Sequence, residues 1–162
     1  MKIFGIVGWK NSGKTFFAQK LIQYFVNLNY SVASIKHAHH DFDIDKPGTD
    51  SFLHRTAGAT QVVISSSNRW AKIEELKNSK EKKLGELLKE LHSCDIVVVE
   101  GFKKENHPKI EIINKHSTPS TFLFKSIKNV IGIVSDNKLD TSIQQFPHSD
   151  IEGLANHILE KI

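Results

Sequence analysis

Residues 8–15 read Gly-Trp-Lys-Asn-Ser-Gly-Lys-Thr and match the pattern G-x-x-x-x-G-K-[ST] at every fixed position. The apolar run Lys2–Val7 precedes this motif, and apolar residues at helical spacing follow it from Thr15 onward. A strand, a glycine-rich loop and a helix in this order form a phosphate-binding loop, in which backbone N–H groups and the helix N-terminus face the phosphates. The predicted phosphate-binding residues are Gly8, Trp9, Lys10, Asn11, Ser12, Gly13, Lys14 and Thr15.

Two side chains of this motif have distinct roles in phosphate chemistry. The Lys14 ammonium is expected to contact the β- and γ-phosphates, which makes it a candidate catalytic residue, and the Thr15 hydroxyl is expected to bind Mg²⁺. A second acidic group is needed at the carboxyl end of a neighbouring buried strand, and Glu100 directly follows the apolar run 96–99. Glu100 is therefore predicted to bind the metal and to take part in catalysis. Asp95 lies at the other end of that run, about 13–16 Å away, too far to share this role.

The order of the apolar runs predicts the fold class. Short apolar runs alternate with segments of helical periodicity, and the run 96–99 has no polar face, as in a strand buried on both sides. These features predict an α/β protein with the P-loop NTPase fold, in which helices cover both faces of a mostly parallel twisted sheet. At 162 residues, the whole chain (1–162) is predicted to form a single nucleotide-binding domain. Further strands are predicted over 31–36, 61–65, 69–73, 109–113, 121–124 and 130–134, and helices over 50–57, over 80–92 and from a capping box of Ser149 and Glu152 onward.

The segment 36–51 follows the second predicted strand and contains three histidines and four aspartates. Three interpretations stay open. The histidines could hold a transition metal such as zinc or nickel, the segment could cover the phosphates and offer an aspartate to Mg²⁺, or it could be a solvated surface loop. The candidate residues are Asp45 and Asp50 for Mg²⁺, and Lys36, His37, His39 and His40 for a switch loop on the phosphate side.

A polar segment in the last third of the chain is a candidate for base recognition. Residues 137–140 match the pattern N-K-x-D, in which the carboxylate accepts hydrogen bonds from the N1–H and N2–H₂ groups of guanine. Asp136 precedes the pattern and is a rival reader, and a polar turn rich in aspartate and asparagine is the alternative. The base-reading candidates are Asp136, Asn137 and Asp140.

The composition excludes several classes of function. The formal net charge is +4, but no basic stripe is interleaved with aromatic residues, so nucleic acid is not expected as a partner. No segment approaches the roughly 20 apolar residues that a membrane span needs, so a membrane is not expected either. Residues 1–8 form too short an apolar run for a secretion signal, and the single cysteine, Cys94, cannot form an internal disulfide. A cytoplasmic location is therefore expected.

Arginine is scarce in this sequence, since Arg55 and Arg69 are the only two. A guanidinium in the active site accelerates hydrolysis about 10³–10⁵-fold in P-loop hydrolases. Slow intrinsic hydrolysis is therefore predicted. Arg55 is the arginine expected to contribute to catalysis, because its predicted helix follows the segment 36–51.

Three blocks of residues resemble the family of molybdopterin-guanine dinucleotide biosynthesis adapter proteins (MobB). They are the motif 8–15, the segment 36–59, which begins Lys-His-Ala-His-His-Asp, and the segment 99–111, which contains Val-Glu-Gly-Phe-Lys and His-Pro-Lys-Ile-Glu. The resemblance implies a GTP-binding, weakly hydrolysing homodimer that uses Mg²⁺ and assists a molybdenum cofactor guanylyltransferase in attaching GMP to molybdopterin. A molybdopterin-type ligand is a further implied partner, and its recognition by the histidines of the 36–51 segment stays open.

Two other classes of function stay open beside the adapter GTPase. A P-loop small-molecule kinase would need an arginine-bearing lid and a substrate cleft. A metallochaperone GTPase would use the loop histidines and would carry nickel or zinc after purification. Preference for GTP over ATP and the metal content of the protein separate these classes.

Overall fold

The computed structural model describes residues 1–38, 41–77, 79–115 and 117–162, and they form two compact units. The first, called the sheet unit, comprises Met1–His37 and Leu84–Ile162. The second, called the hairpin unit, comprises Ala38–Lys83. The chain therefore enters the hairpin unit and returns to complete the sheet unit, and the single domain expected over 1–162 stays a prediction.

Strands and helices alternate along most of the described chain. The strands are β1 (Lys2–Val7), β2 (Val32–Lys36), β3 (Gln61–Ser65), β4 (Trp70–Glu74), β5 (Ile96–Glu100), β6 (Lys109–Ile112), β7 (Val130–Val134) and β8 (Gln145–Phe146). The helices are α1 (Lys14–Asn27), α2 (Asp50–Thr56), α3 (Leu84–Lys89) and α4 (Ile151–Lys161). Six strands form a sheet in the order β2-β5-β1-β6-β7-β8, and every neighbouring pair in it is parallel.

Strand β5 explains why helices cover both faces of this sheet. Successive side chains of a strand point to opposite faces, so an all-apolar strand serves two cores. Ile96 and Val98 join the core that α1 and α4 cover, whereas Val97 and Val99 join a second core with Leu84 of α3. Each fully buried side chain of this size stabilises the fold by roughly 1.5–3 kcal/mol. The α/β class and the parallel sheet covered on both faces are confirmed.

The strand predicted over 121–124 is wrong, because two short 3₁₀ turns, Pro119–Thr121 and Leu123–Lys125, occupy this part of the chain. The cause is the buried carboxylate of Glu111 on β6. Its two oxygens accept the first two backbone N–H groups of the second turn, each at 2.7 Å. A strand would need these donors for its neighbour, so Glu111 prevents strand formation here.

Two helix ends also differ from the prediction. Helix α3 is shorter than the predicted 80–92, because the two N–H groups that follow it bond to carbonyls three residues back and tighten the chain into a turn. Helix α4 is capped by Asp150 rather than by the predicted pair Ser149 and Glu152. The Asp150 Oδ1 atom accepts the N–H of Gly153 at 2.8 Å, which satisfies a free donor of the first turn.

The hairpin unit contains α2 and an antiparallel pair of β3 and β4. Strand β4 is the partner predicted over 69–73, shifted by one residue, and the other predicted elements lie within one residue of their expected bounds. Strand β8 was not predicted. Within the part of the chain that the structure describes, no helix is both long enough and apolar enough to cross a membrane.

Candidate functional site

The connection between β1 and α1 places the 8–15 motif at the carboxyl edge of the sheet. Gly8 has no room for a side chain, because a Cβ there would lie 2.7 Å from the carbonyl oxygen of Ile112. Gly13 is the N-cap of α1 with a φ of 97°, a left-handed conformation that favours glycine. The backbone is thus shaped so that the free N–H groups at the start of α1 are available to an anion.

Thr15 and Glu100 meet at this edge. The Thr15 hydroxyl donates to the Glu100 carboxylate, 3.2 Å from Oε1. Lys36, at the end of β2, lies 3.4 Å from the same oxygen, and the Glu100 side chain is only 13% exposed. A hydroxyl and a carboxylate are hard oxygen donors of the kind that Mg²⁺ prefers, so these two residues fit the metal role expected of them.

Lys14 contributes a charge that is poorly balanced. Its ammonium donates to the Trp9 carbonyl at 2.6 Å. Burial lowers the pKa of Lys14, the Glu100 carboxylate opposes this, and the charges of Lys103 and Lys36 lower the pKa further. Two further ammonium groups therefore act on Lys14 against one carboxylate, and this excess of positive charge favours a bound anion. We call Lys14, Thr15, Lys36, Glu100 and Lys103 the phosphate edge.

Trp9, the second residue of the motif, is held on two sides. Its Nε1–H donates to the carbonyl oxygen of Thr121. The Lys103 ammonium lies over its ring, 4.5 Å from the ring centroid. Sequence reasoning did not assign a role to Lys103, although its position three residues after Glu100 could have indicated one.

Three polar side chains are buried on or just before β6, the strand that pairs with β1. Glu111 is 1% exposed and Lys109 is fully buried; its ammonium donates to backbone carbonyls, including that of His107 at 2.8 Å. His107 is 6% exposed, and neither of its ring nitrogens has a hydrogen-bond partner among the described residues. Burial, and to a smaller extent the Lys109 charge, lowers the pKa of His107 to about 4. The imidazole is therefore neutral at pH 7.

A cavity of about 310 Å³ lies at the same edge, beside the end of β7. Among its lining residues, Asp136 accepts the backbone N–H of His148 at 2.9 Å, and this bond together with the His148 side chain lowers the pKa of Asp136. The Gln145 carboxamide bonds both the N–H and the carbonyl of Leu139 and so holds the predicted base-reading turn. Asp140 is exposed.

A family model described as "Molybdopterin guanine dinucleotide synthesis protein B", MobB, matches residues 3–136. The chain belongs to the MobB family. The match includes the 8–15 motif, Glu100 and Lys103. The family that the sequence resembled is therefore confirmed.

Individual members of the family are similar over most of their length. The molybdopterin-guanine dinucleotide biosynthesis adapter protein of Escherichia coli K12 is 33% identical over 160 residues, which cover 98% of this chain and 91% of that protein. The protein of the same name from Haemophilus influenzae is 37% identical over 118 residues, 72% of this chain and 65% of that protein. A crystal structure of Bacillus subtilis MobB has a TM-score of 0.78 at 22% identity and covers all of this chain and 98% of its own, which confirms the P-loop NTPase fold.

The hairpin unit of this MobB family member contains three of the residues predicted to act at the phosphates. Arg55 donates to Asp43, Asp45 and Glu75, with 2.7 Å contacts to each carboxylate. We call these four residues the Arg55 cluster. The hydrogen bond from Arg55 lowers the pKa of Asp45, whose side chain is 4% exposed. Asp50 begins α2 and is exposed. The catalytic role of Arg55 and the metal roles of Asp45 and Asp50 stay predictions.

The histidine-rich segment is described only in part. His37, at the end of β2, stacks on Phe102 with 4.6 Å between ring centroids, and its N–H donates to the Glu100 carbonyl at 2.8 Å. His39 and His40 lie outside the described residues. Among the residues that are described, no group of three His, Cys, Asp or Glu side chains is arranged to hold a metal ion.

Proposed function

We propose that this chain binds GTP with Mg²⁺ at the phosphate edge, hydrolyses it slowly, and acts as an adapter in the synthesis of molybdopterin-guanine dinucleotide. The observation that carries the proposal is the contact between Thr15 and Glu100 beside three lysines at the end of a P-loop. Thr15 and Glu100 would hold Mg²⁺, which supplies positive charge to the bound phosphates. Lys14 orients and neutralises the β- and γ-phosphates.

Guanine recognition follows from the position of the cavity beside β7. Two strand spacings separate β7 from β1, about 10 Å, which is the reach of a nucleoside whose phosphates lie in the P-loop. Asp136 is already bonded to His148, so we assign base reading to Asn137, which lines the cavity. The role predicted for Asp140, three residues further along the chain, stays a prediction.

The contacts of the two arginines support slow hydrolysis. The Arg55 guanidinium is bonded to three carboxylates, and Arg69 lies at the turn between β3 and β4. To act on a phosphate, Arg55 would have to leave these carboxylates. A hydrolase without a guanidinium at its phosphates is slow until a partner supplies one.

The adapter role rests on family membership. The relatives named above are called biosynthesis adapter proteins, and a protein that binds nucleotide but turns it over slowly is suited to present or stabilise a complex. We propose that this chain acts as a homodimer on a guanylyltransferase that joins GMP to molybdopterin. The segment around His37 would contact the pterin-containing ligand.

Calorimetric titration tests the nucleotide site. Wild type is expected to bind GTP with Mg²⁺ more tightly than ATP, and Lys14→Ala is expected to weaken GTP binding by about 100-fold, the cost of one charge-assisted phosphate contact in a partly buried site. Lys20→Ala is the matched control, because Lys20 is an exposed lysine on α1 outside the motif. Equal or tighter binding of ATP would favour a small-molecule kinase instead.

A reconstituted assay tests the adapter role. Purified guanylyltransferase, molybdopterin and GTP are combined with and without this chain, and dinucleotide formation is followed. Wild type is expected to increase the yield or rate, and Lys14→Ala is expected to do so less. No effect of wild type would contradict the adapter role while leaving the GTP site standing.

A further inference from the structure

Lys103 occupies a defined position beside the P-loop. It follows the end of β5 by three residues, and its ammonium lies 4.5 Å from the centroid of the Trp9 ring. A cation over an aromatic face is attracted by the electrons of the ring, but this attraction is weak where water has access. The Trp9 side chain is itself 48% exposed. This contact keeps the Lys103 ammonium beside the loop, and it is made with an aromatic ring and not with a carboxylate.

The Trp9 ring is a fixed support for this charge. Its Nε1–H is bonded to the carbonyl of Thr121, and the turn that follows Thr121 is bonded to the carboxylate of Glu111. Glu111 is buried on β6, a central strand of the sheet. A series of hydrogen bonds therefore connects the sheet to the second residue of the P-loop and keeps the ring in place.

The charge of Lys103 reaches the P-loop. The Lys14 ammonium donates to the Trp9 carbonyl at 2.6 Å, and the Lys103 ammonium lies over the ring of the same residue. The two positive charges therefore lie near one residue of the loop and repel each other, in line with the effect of Lys103 on the pKa of Lys14. A triphosphate between them would remove this repulsion. The Glu100 carboxylate already has Thr15 and Lys36 as partners. Lys103 instead contacts the Trp9 ring, and its charge also acts on the buried Glu111 carboxylate, where it opposes the rise in pKa that burial causes.

We propose that Lys103 supplies the charge that arginine supplies in faster hydrolases, moving from the Trp9 ring to the γ-phosphate and the β–γ bridging oxygen of bound GTP. This inference rests on the proposed GTP site. In hydrolysis, a water oxygen bonds to the γ-phosphorus, and the bond to the bridging oxygen breaks with its electron pair left on GDP. The proton of the attacking water is released with inorganic phosphate. Lys103 neutralises the charge that develops on the bridging oxygen.

Single-turnover kinetics test this role. Lys103→Met keeps the length of the side chain and removes the charge, and we expect it to lower the hydrolysis rate by about 30-fold, somewhat less than the loss of a buried oxyanion donor. Binding of GDP, which lacks the γ-phosphate, is expected to change less than about twofold. Lys103→Arg retains a charge that also stacks on tryptophan, so it is expected to keep the rate within about threefold of wild type.

The matched control is Lys104→Ala, which removes the same charge from the next, exposed residue. It is expected to leave both the rate and GDP binding unchanged. An equal loss of rate in Lys104→Ala would mean that net charge matters and not the position of Lys103, and would overturn the inference. Thermal melting of each variant shows whether it is folded.

Tryptophan fluorescence tests the movement directly. The chain has two tryptophans, so Trp70→Phe leaves Trp9 as the reporter. In that background, GTP and GDP are expected to change Trp9 emission differently, because only GTP draws Lys103 from the ring. The difference between the two nucleotides is expected to disappear in Trp70→Phe/Lys103→Met, and its persistence would overturn the inference.

Different results would contradict the proposed GTP site and the role of Lys103. If wild type binds no GTP in calorimetry, both the proposed function and the role of Lys103 are wrong. If wild type binds and hydrolyses GTP and Lys103→Met does so at the same rate, only the role of Lys103 is wrong.

Discussion

The phosphate edge of the sheet unit and the Arg55 cluster of the hairpin unit arrange charge in opposite ways. At the phosphate edge, the pKa of Lys14 is lowered by burial and by two neighbouring ammonium groups, against one opposing carboxylate. In the Arg55 cluster, one guanidinium donates hydrogen bonds of 2.7–3.1 Å to three carboxylates. The first has excess positive charge, and the second has excess negative charge.

This difference separates binding residues from structural ones. A cation enclosed by carboxylates has its hydrogen bonds satisfied and stabilises the local fold. Cations that outnumber their carboxylate partners are stabilised by an incoming anion, so we expect the phosphate edge to attract a triphosphate. We therefore expect the lysines of the phosphate edge to contact the phosphates, and the catalytic role that the sequence suggested for Arg55 stays a prediction.

The largest effect is expected at the carboxylate of the phosphate edge. Glu100→Gln removes the negative charge that faces Thr15 and Lys36, and we expect Mg²⁺-dependent GTP hydrolysis to fall by about 100-fold. The tightening of GTP binding by Mg²⁺ is expected to be lost as well. Calorimetry with and without Mg²⁺ and single-turnover hydrolysis measure the two effects.

The control for this variant is Glu160→Gln, which neutralises an exposed glutamate on α4. It is expected to behave as wild type. Hydrolysis by Glu100→Gln at the wild-type rate would contradict this prediction, because Glu100 would then only end β5 and have no part in the reaction.

The next effect concerns His107, which is buried beside Gly5 of β1 and whose ring nitrogens have no hydrogen-bond partner among the described residues. The pKa of His107 is lowered to about 4 in the folded chain, against an ordinary value near 6.5, so between these values the unfolded chain binds a proton that the folded chain does not. Stability contributed by the neutral imidazole is therefore present above pH 6.5 and is lost as pH falls toward 4. From pH 7 to pH 5, we expect a loss of about 2 kcal/mol of unfolding free energy from this group.

Urea denaturation at the two pH values measures this loss. His107→Gln should show a correspondingly weaker pH dependence, while His54→Gln, which changes an exposed histidine, should retain that of wild type. The same pH dependence in wild type and His107→Gln would contradict the prediction.

The smallest effect on nucleotide is expected in the Arg55 cluster. Arg55→Gln leaves Asp43, Asp45 and Glu75 without their shared partner, and we expect the melting temperature to fall by about 5 °C. The dissociation constant for GTP is expected to stay within about twofold of wild type, and the hydrolysis rate within about threefold, because the guanidinium is already bonded.

Arg69→Gln is the matched arginine control, and it is expected to change neither stability nor hydrolysis. A tenfold lower hydrolysis rate in Arg55→Gln, with unchanged GTP binding and an intact fold, would restore the catalytic role predicted from the sequence. That result would also show that Arg55 can leave its carboxylates.

Local patterns predicted the parts of the site that depend on neighbouring residues in the chain. The 8–15 motif, the apolar β5 and the acidic residue after it are each contained in a few consecutive positions, and a parallel sheet brings the ends of such strands to one edge. The two 3₁₀ turns were missed because their cause, the carboxylate of Glu111, is distant in sequence and acts through backbone donors. The strand propensity of a short segment does not reveal a contact with a residue that is distant in sequence.

Sequence patterns alone predicted the fold class, and they indicated the loop and the carboxylate that we propose to bind phosphate and metal, because strand burial and loop geometry are encoded over short stretches of chain. Which of the charges are balanced was set by the tertiary structure. In the folded chain, Arg55 lies among three carboxylates and Lys103 lies over the Trp9 ring. His107 is buried without a hydrogen-bond partner among the described residues. The physical reason is that the effect of a charge depends on the groups within a few ångströms of it, and in a folded chain most of those groups come from distant parts of the sequence.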